Sequence, residues 1–178
     1  MLITKQQRFL LDALERVGGL RKAQMISLIR PVFCSKKPEA ASQIVAAALR
    51  QLSNGSVRLC DDGGVIRLQE MERPDGKLLD AVDVMLQLAG AGLADYWKGN
   101  PPVLLRFCVQ GQKVRTFSVA GYGPDVFTAV FPPHERIILL FGGQSQPQAL
   151  PVSNKQFIAV RQEDGTHRFF AMDGKKQS

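Results

Sequence analysis

The chain has little of what most enzymes and exported proteins are built around. Its 178 residues include three cysteines, two histidines and one tryptophan. Cys34, Cys60 and Cys108 are odd in number, far apart and in no C-x-x-C spacing, and a reducing cytosolic compartment fits. His134 and His167 lie in unrelated segments, and no Cys/His spacing suits a metal ion. We therefore expect no metal and no cofactor. The phosphate and nucleophile motifs G-x-G-x-x-G, G-x-x-x-x-G-K-[ST] and G-x-S-x-G are all absent. No apolar run approaches the roughly 20 residues of a membrane helix. The opening Met1-Leu2-Ile3-Thr4-Lys5-Gln6-Gln7-Arg8 has no apolar leader core. The expectation is a soluble, cytoplasmic protein without a membrane partner.

What is present is a core-forming, basic chain. Hydrophobic residues make up 45% and charged residues 22%, enough for one medium domain or two small ones. The formal charge is +7. Residues 1–70 hold 11 basic and 6 acidic side chains, against 12 and 10 in 71–178. A concentrated basic excess favours a polyanionic partner, because each neutralised phosphate releases counterions.

The first seventy residues read as three helices and a hairpin. Thr4 and Gln7 form a capping-box pattern, and Leu10, Leu11, Leu14 and Val17 share a helical face that ends at Gly18-Gly19. A second helix spans about 22–29, burying Met25, Ile26 and Ile29, and ends before Pro31. Pro38 and Glu39 open a third, over 39–52. Its inner stripe is Ala41, Ile44, Val45, Ala48, Leu49 and Leu52, and Asn54-Gly55 stops it. Strand-like runs at 57–60 and 65–68 flank Asp61-Asp62-Gly63-Gly64, a hairpin signal. Three helices followed by a hairpin is the order of a winged helix-turn-helix domain, with the third helix aimed at a major groove and the hairpin as wing. On that reading double-stranded DNA meets Ser42, Gln43, Ala46 and Arg50 on the outer face of the third helix, with Ala47 beside them. Gln and Arg are residue types that read adenine and guanine. Lys36 and Lys37 before the helix, and Arg58 and Arg67 in the wing, suit phosphates. An Ala-rich outer face also fits a winged helix that docks a protein, and a different small fold is the third possibility.

Residues 71–76 are polar, with a Pro and a Gly, and read as a linker. A domain at 77–178 follows. Its helix carries Leu78, Leu79, Val82, Leu86 and Ala89, with Met85 beside them, and either ends at Gly90-Ala91-Gly92 or resumes through Leu93 to Trp97. Strands at 103–109 and 114–120 form a hairpin. Pro124 opens a short helix holding Val126, Phe127, Val130 and Phe131. The run 137–141 is a central strand, 157–161 and 168–171 a second hairpin, and a short helix is optional before them. Gly142-Gly143-Gln144-Ser145 is a plain turn, and 175–178 a frayed tail. The fold class is α+β. A nuclease centre needs an Asp on one strand and a Glu-x-Lys on the next. Asp125 follows Pro124, but no Glu-x-Lys comes after it, and Asp80 and Asp83 read as the wet face of a helix. Cys108 reads as buried and inert, and neither histidine has an evident partner. No catalytic residue is assigned.

From Thr4-Lys5-Gln6-Gln7-Arg8-Phe9-Leu10-Leu11 through the hairpin, the chain resembles the winged helix of the replication-relaxation proteins of Gram-positive plasmids and conjugative elements. Leu79-Asp80-Ala81-Val82-Asp83-Val84-Met85, Arg136-Ile137-Ile138-Leu139-Leu140 and Gly165-Thr166-His167-Arg168-Phe169-Phe170 resemble their small relatives. The resemblance implies at most a non-catalytic remnant of a nuclease-like sheet and transfers no catalytic residues. The expected function is a DNA-binding accessory or regulatory protein of a mobile element. Residues 77–178 would form a homodimer or meet another protein partner.

Overall fold

Helix α1, Lys5–Val17, forms where its caps and its apolar face coincide. Thr4 Oγ1 accepts from the Gln7 N–H at 3.2 Å, and Gln7 Oε1 accepts from the Thr4 N–H at 2.8 Å. At the other end Gly18, at φ +86°, donates to the Leu14 carbonyl. Leu10, Ala13, Leu14 and Val17 are buried, while Leu11 is only half-buried. A computed structural model describes residues 3–143 and 146–172. Gln144 and Ser145 of the expected turn, and the expected tail at 175–178, lie outside them.

A two-residue strand, β1 (Leu20–Arg21), leads straight into α2, Lys22–Phe33. The helix does not end before Pro31, as expected. It carries Pro31 in its last turn, where Cys34 N–H still reaches the Arg30 carbonyl at 3.0 Å. The Phe33 ring packs edge-on against Phe9 at 5.5 Å, so tertiary packing outweighs the local penalty of the proline. Ile26 is half-buried, and Leu28 joins Met25 and Ile29 in the core. A 3₁₀ turn at Pro38–Ala40 precedes α3, Ala41–Ser53, whose inner stripe is as expected except that Ile44 is half-buried.

The hairpin is β2 (Leu59–Asp62) and β3 (Val65–Leu68), with Asp62 opposite Val65. The turn is therefore two residues, Gly63 and Gly64, at φ +65° and +86°. Both left-handed, they match the tight turn that suits strand twist. The expected first strand, 57–60, lies two residues too early. On the other side of β3, β1 pairs through Leu20↔Ile66 and Arg21↔Val65, completing a three-stranded sheet of order β1-β3-β2.

The expected linker is not a free tether. Arg67 Nη1 binds the carbonyls of Leu68, Gln69 and Met71 at 3.2, 3.1 and 2.7 Å, and Pro74 is buried. Asp75 then caps α4 (Gly76–Ala89), its carboxylate accepting from the Leu78 N–H at 2.7 Å. The chain divides into two compact units, 1–79 and 80–178, with the division inside α4.

In the second unit a 3₁₀ turn at Gly90–Gly92 ends the helical path, and the residues where the helix pattern could resume form a strand, β4 (Leu93–Lys98). Then come β5 (Val103–Val109), β6 (Arg115–Gly121), a 3₁₀ turn (Pro124–Thr128), β7 (Arg136–Phe141), β8 (Gln156–Arg161) and β9 (His167–Met172). They make one six-stranded sheet in sequence order. The β6-β7-β8 pairs are parallel and the others antiparallel. The apolar run of β7 is thus explained by an interior position in a parallel ladder. Val103, Ala120, Val126, Phe131, Ile137, Leu139 and Leu150 form one buried cluster. Val130, expected among them, is 90% exposed, because the 3₁₀ turn has already ended at Thr128. The optional helix before β8 does not form within 146–155. That loop is held by the buried Gln156 carboxamide, which bonds Leu150 N–H, Leu150 O and Val152 O. The class is α+β. Among the described residues no helix is long and apolar enough to cross a membrane.

Candidate nucleic-acid interface

Helix α3 turns Val45, Ala48, Leu49 and Leu52 inward, and the 3.6-residue period then fixes what points out. Ser42, Gln43, Ala46 and Arg50 are exposed, and Ala47 is half-buried. The turn before the helix places Lys36 and Lys37 at the surface. Its main chain is ordered by Lys37 N–H to the Cys34 carbonyl and Ala40 N–H to the Lys37 carbonyl, both at 3.0 Å. Exposed cations and amides therefore run from the loop on to the helix, with Glu39 as an opposing charge at the helix entrance.

The hairpin departs from expectation. Arg58 is exposed, but it lines a shallow groove of about 580 Å³ together with Glu15, Gln69 and Glu70, so two carboxylates share its surroundings. Arg67 is not a phosphate donor waiting for a ligand. Its Nε pairs with Asp62 Oδ2 at 2.5 Å, while Nη1 holds the three carbonyls that fasten the following strap. The hairpin tip is acidic. Asp61 accepts from the Gly64 N–H at 2.8 Å and lies 3.7 Å from Lys22 Nζ. The sequence contained a signal for this, namely Asp61-Asp62 beside the turn, but placing the first strand at 57–60 left both acids in the loop.

The second unit holds two polar clusters that sequence reading missed. Ser118 Oγ, fully buried, donates to Glu135 Oε2 and accepts from Arg106 Nε at 3.2 Å, and Arg106 lies 3.5 Å from Glu135. The three side chains come from β5, β6 and the entry to β7, so only the folded sheet brings them together. They neutralise one another, and the serine hydroxyl faces no solvent. Near α4, Asp80 binds Arg161 at 2.5 Å. His167 is 4% exposed, and its Nδ1 has no hydrogen-bond partner among the described residues. Burial pulls its pKa down, opposed by Asp80 and Asp83 and assisted by Arg161. Gln87 grips the His167 backbone, accepting from its N–H at 2.8 Å and donating to its carbonyl at 2.7 Å. Cys108 is half-buried rather than buried, 3.5 Å from Thr116 Oγ1. Asp125 is exposed at the 3₁₀ turn, and among the described residues no three His, Cys, Asp or Glu side chains converge on a metal position.

Comparison with family models, with curated proteins and with solved structures returned no match.

Proposed function

We propose that residues 1–70 are a winged helix that binds double-stranded DNA, and that the protein is a non-catalytic accessory or regulatory factor, of the kind that mobile elements carry. The pairing of β1 with β3 carries this reading. It turns three helices and a hairpin into the order α1-β1-α2-α3-β2-β3, in which a short strand between the first two helices anchors the wing. The anchored hairpin leaves the outer face of α3 uncovered, with Ser42, Gln43 and Arg50 pointing outward. Arg50 and Gln43 then read base edges, while Lys36, Lys37 and Arg58 take phosphates. Arg67 acts within the fold. With Asp61 and Asp62 at its tip, the wing does not enter the minor groove, and α3 carries the recognition. In the same reading the second unit mediates dimerisation or contact with a protein.

The rival is a winged helix that docks a protein. It is favoured by the same acidic tip and by the small, uncharged Ala46 and Ala47 at the centre of the α3 face. Arg50→Ala separates the two readings. On selected duplex sites it should lose about 1–3 kcal/mol of discrimination at one base position. Unchanged binding and unchanged sequence preference would remove α3 from the recognition surface.

A further inference from the structure

Glu135 and Arg136 are neighbours in the chain, yet the sheet sends their side chains to opposite faces. Glu135 accepts from Ser118 Oγ and lies 3.5 Å from Arg106 Nε. Ser118 and Arg106 are partners in the β5–β6 ladder, so they share one face. Arg136 stands opposite Phe117 in the parallel β6–β7 ladder, on the other face. The carboxylate beside Arg136 in the sequence is therefore spent where it cannot neutralise it.

An aromatic stack holds Arg136 in place. Its guanidinium lies over the Phe117 ring at 5.7 Å, and Phe117 stacks on the buried Phe107 at 5.0 Å, with 8° between the ring planes. The ring fixes the guanidinium by its charge. Among the described residues Arg136 makes no hydrogen bond or ion pair, so its fork of donors is left to a ligand. Arg115 lies two residues before Phe117 on β6, hence on the same face, and is exposed. Lys113 is exposed two residues earlier still, in the β5–β6 turn. Neither has a hydrogen bond or ion pair among the described residues. Residues 96–124 carry Lys98, Arg106, Lys113 and Arg115 and no Asp or Glu.

We propose that Lys113, Arg115 and Arg136 bind the phosphates of duplex DNA, giving the second unit a nucleic-acid contact of its own. Three cations in one patch, with the nearest acid in the chain turned away, complement a polyanion. A guanidinium fork matches phosphate oxygens two at a time. A single strand would need a ring for its bases to stack on, and Phe117 is already taken by Phe107 on one side and Arg136 on the other. A duplex keeps its bases stacked inside and offers phosphates alone, which is what this patch can use. Val114 is exposed among the cations, but one valine is too little apolar area to seat the patch in a lipid surface. The contact does not rest on the α3 reading, and the two surfaces can fail separately.

Affinity of the full chain for random-sequence duplex across a salt series tests it. The Lys113→Ala, Arg115→Ala double variant changes two exposed side chains and should keep the wild-type melting temperature. Its log–log slope should be shallower by roughly 2, and adding Arg136→Ala should take off roughly 1 more. Arginine modification by phenylglyoxal, read by mass spectrometry, needs no variant. Duplex should shield Arg115, whereas Arg168, which the strand register sets on the opposite face, should react equally with and without it. A double variant with the wild-type slope overturns the proposal, and so does Arg115 modified equally in both states. A double variant that loses binding to anionic phospholipid vesicles but keeps its duplex slope would make the patch a lipid contact and also overturn it. An unchanged slope on replacing Lys36 and Lys37, with a shallower one on replacing Lys113 and Arg115, would strike α3 and leave this contact standing.

Discussion

Arg67 and Arg50 are the same residue type, and their surroundings give them opposite tasks. Arg67 has an aspartate and three carbonyls as partners, whereas Arg50 stands exposed on α3. Arg67→Ala should lower the melting temperature without changing the number of DNA phosphates engaged. Arg50→Ala should leave the melting temperature unchanged and relax sequence preference at one base position. Only Arg50 was legible in the sequence, because helical periodicity fixes outward positions, while a guanidinium's partners depend on hairpin register. His167 gives a second prediction at this scale. Burial in the folded chain lowers its pKa below the ordinary value near 6.5. The unfolded chain therefore takes up the proton first. Stability is complete above about pH 6.5 and falls as pH drops from there towards the folded value. Melting followed from pH 7.5 to 5 should show this loss, and His167→Gln should flatten it. The charges of Asp80 and Asp83 pull the other way, so a pH-independent melt would mean that they cancel the burial.

At the scale of elements, what the sequence declared locally is what formed. The capping box at Thr4 and Gln7, the αL stop at Gly18, the Gly63-Gly64 turn and the apolar run of β7 each carry their own signal within a few residues. The readings that failed depended on distant partners. β1 is two residues long, too short for any periodicity, and exists because β3 lies beside it. Pro31 stays in α2 because Phe33 has Phe9 to pack on. The residues of β4 fit a helix continuing from α4 until β5 is there to pair with them. Gly19 tests the β1–β3 closure. A Cβ there would come within about 3.0–3.1 Å of Pro74 Cδ, Arg67 Cβ and the Ile66 carbonyl. Gly19→Ala should therefore destabilise the first unit by about 1–3 kcal/mol in denaturant unfolding, because backbone and strap must both move. Gly64→Ala meets no atom within 4 Å, and its cost of about 1 kcal/mol would come from φ +86° alone.

For the whole molecule, charge and topology agree on where to look. The basic excess lies in residues 1–70, and within the corresponding unit Lys36, Lys37 and Arg50 stay exposed while Arg67 is consumed by the fold. The outer face of α3 and the basic loop before it were legible from helical periodicity and charge, whereas the partners that hold Arg67 within the fold were not. The polar clusters of the second unit were not legible, since Ser118, Glu135 and Arg106 meet only across the sheet. Binding of duplex DNA through phosphates at this surface is measured by the salt dependence of affinity for random-sequence duplex. Log affinity should fall linearly with log salt at about 0.9 per phosphate contact, with a slope shallower by roughly 2 for the Lys36→Ala, Lys37→Ala double variant. Association that is undetectable at low salt, or a slope unchanged in the double variant, would contradict it.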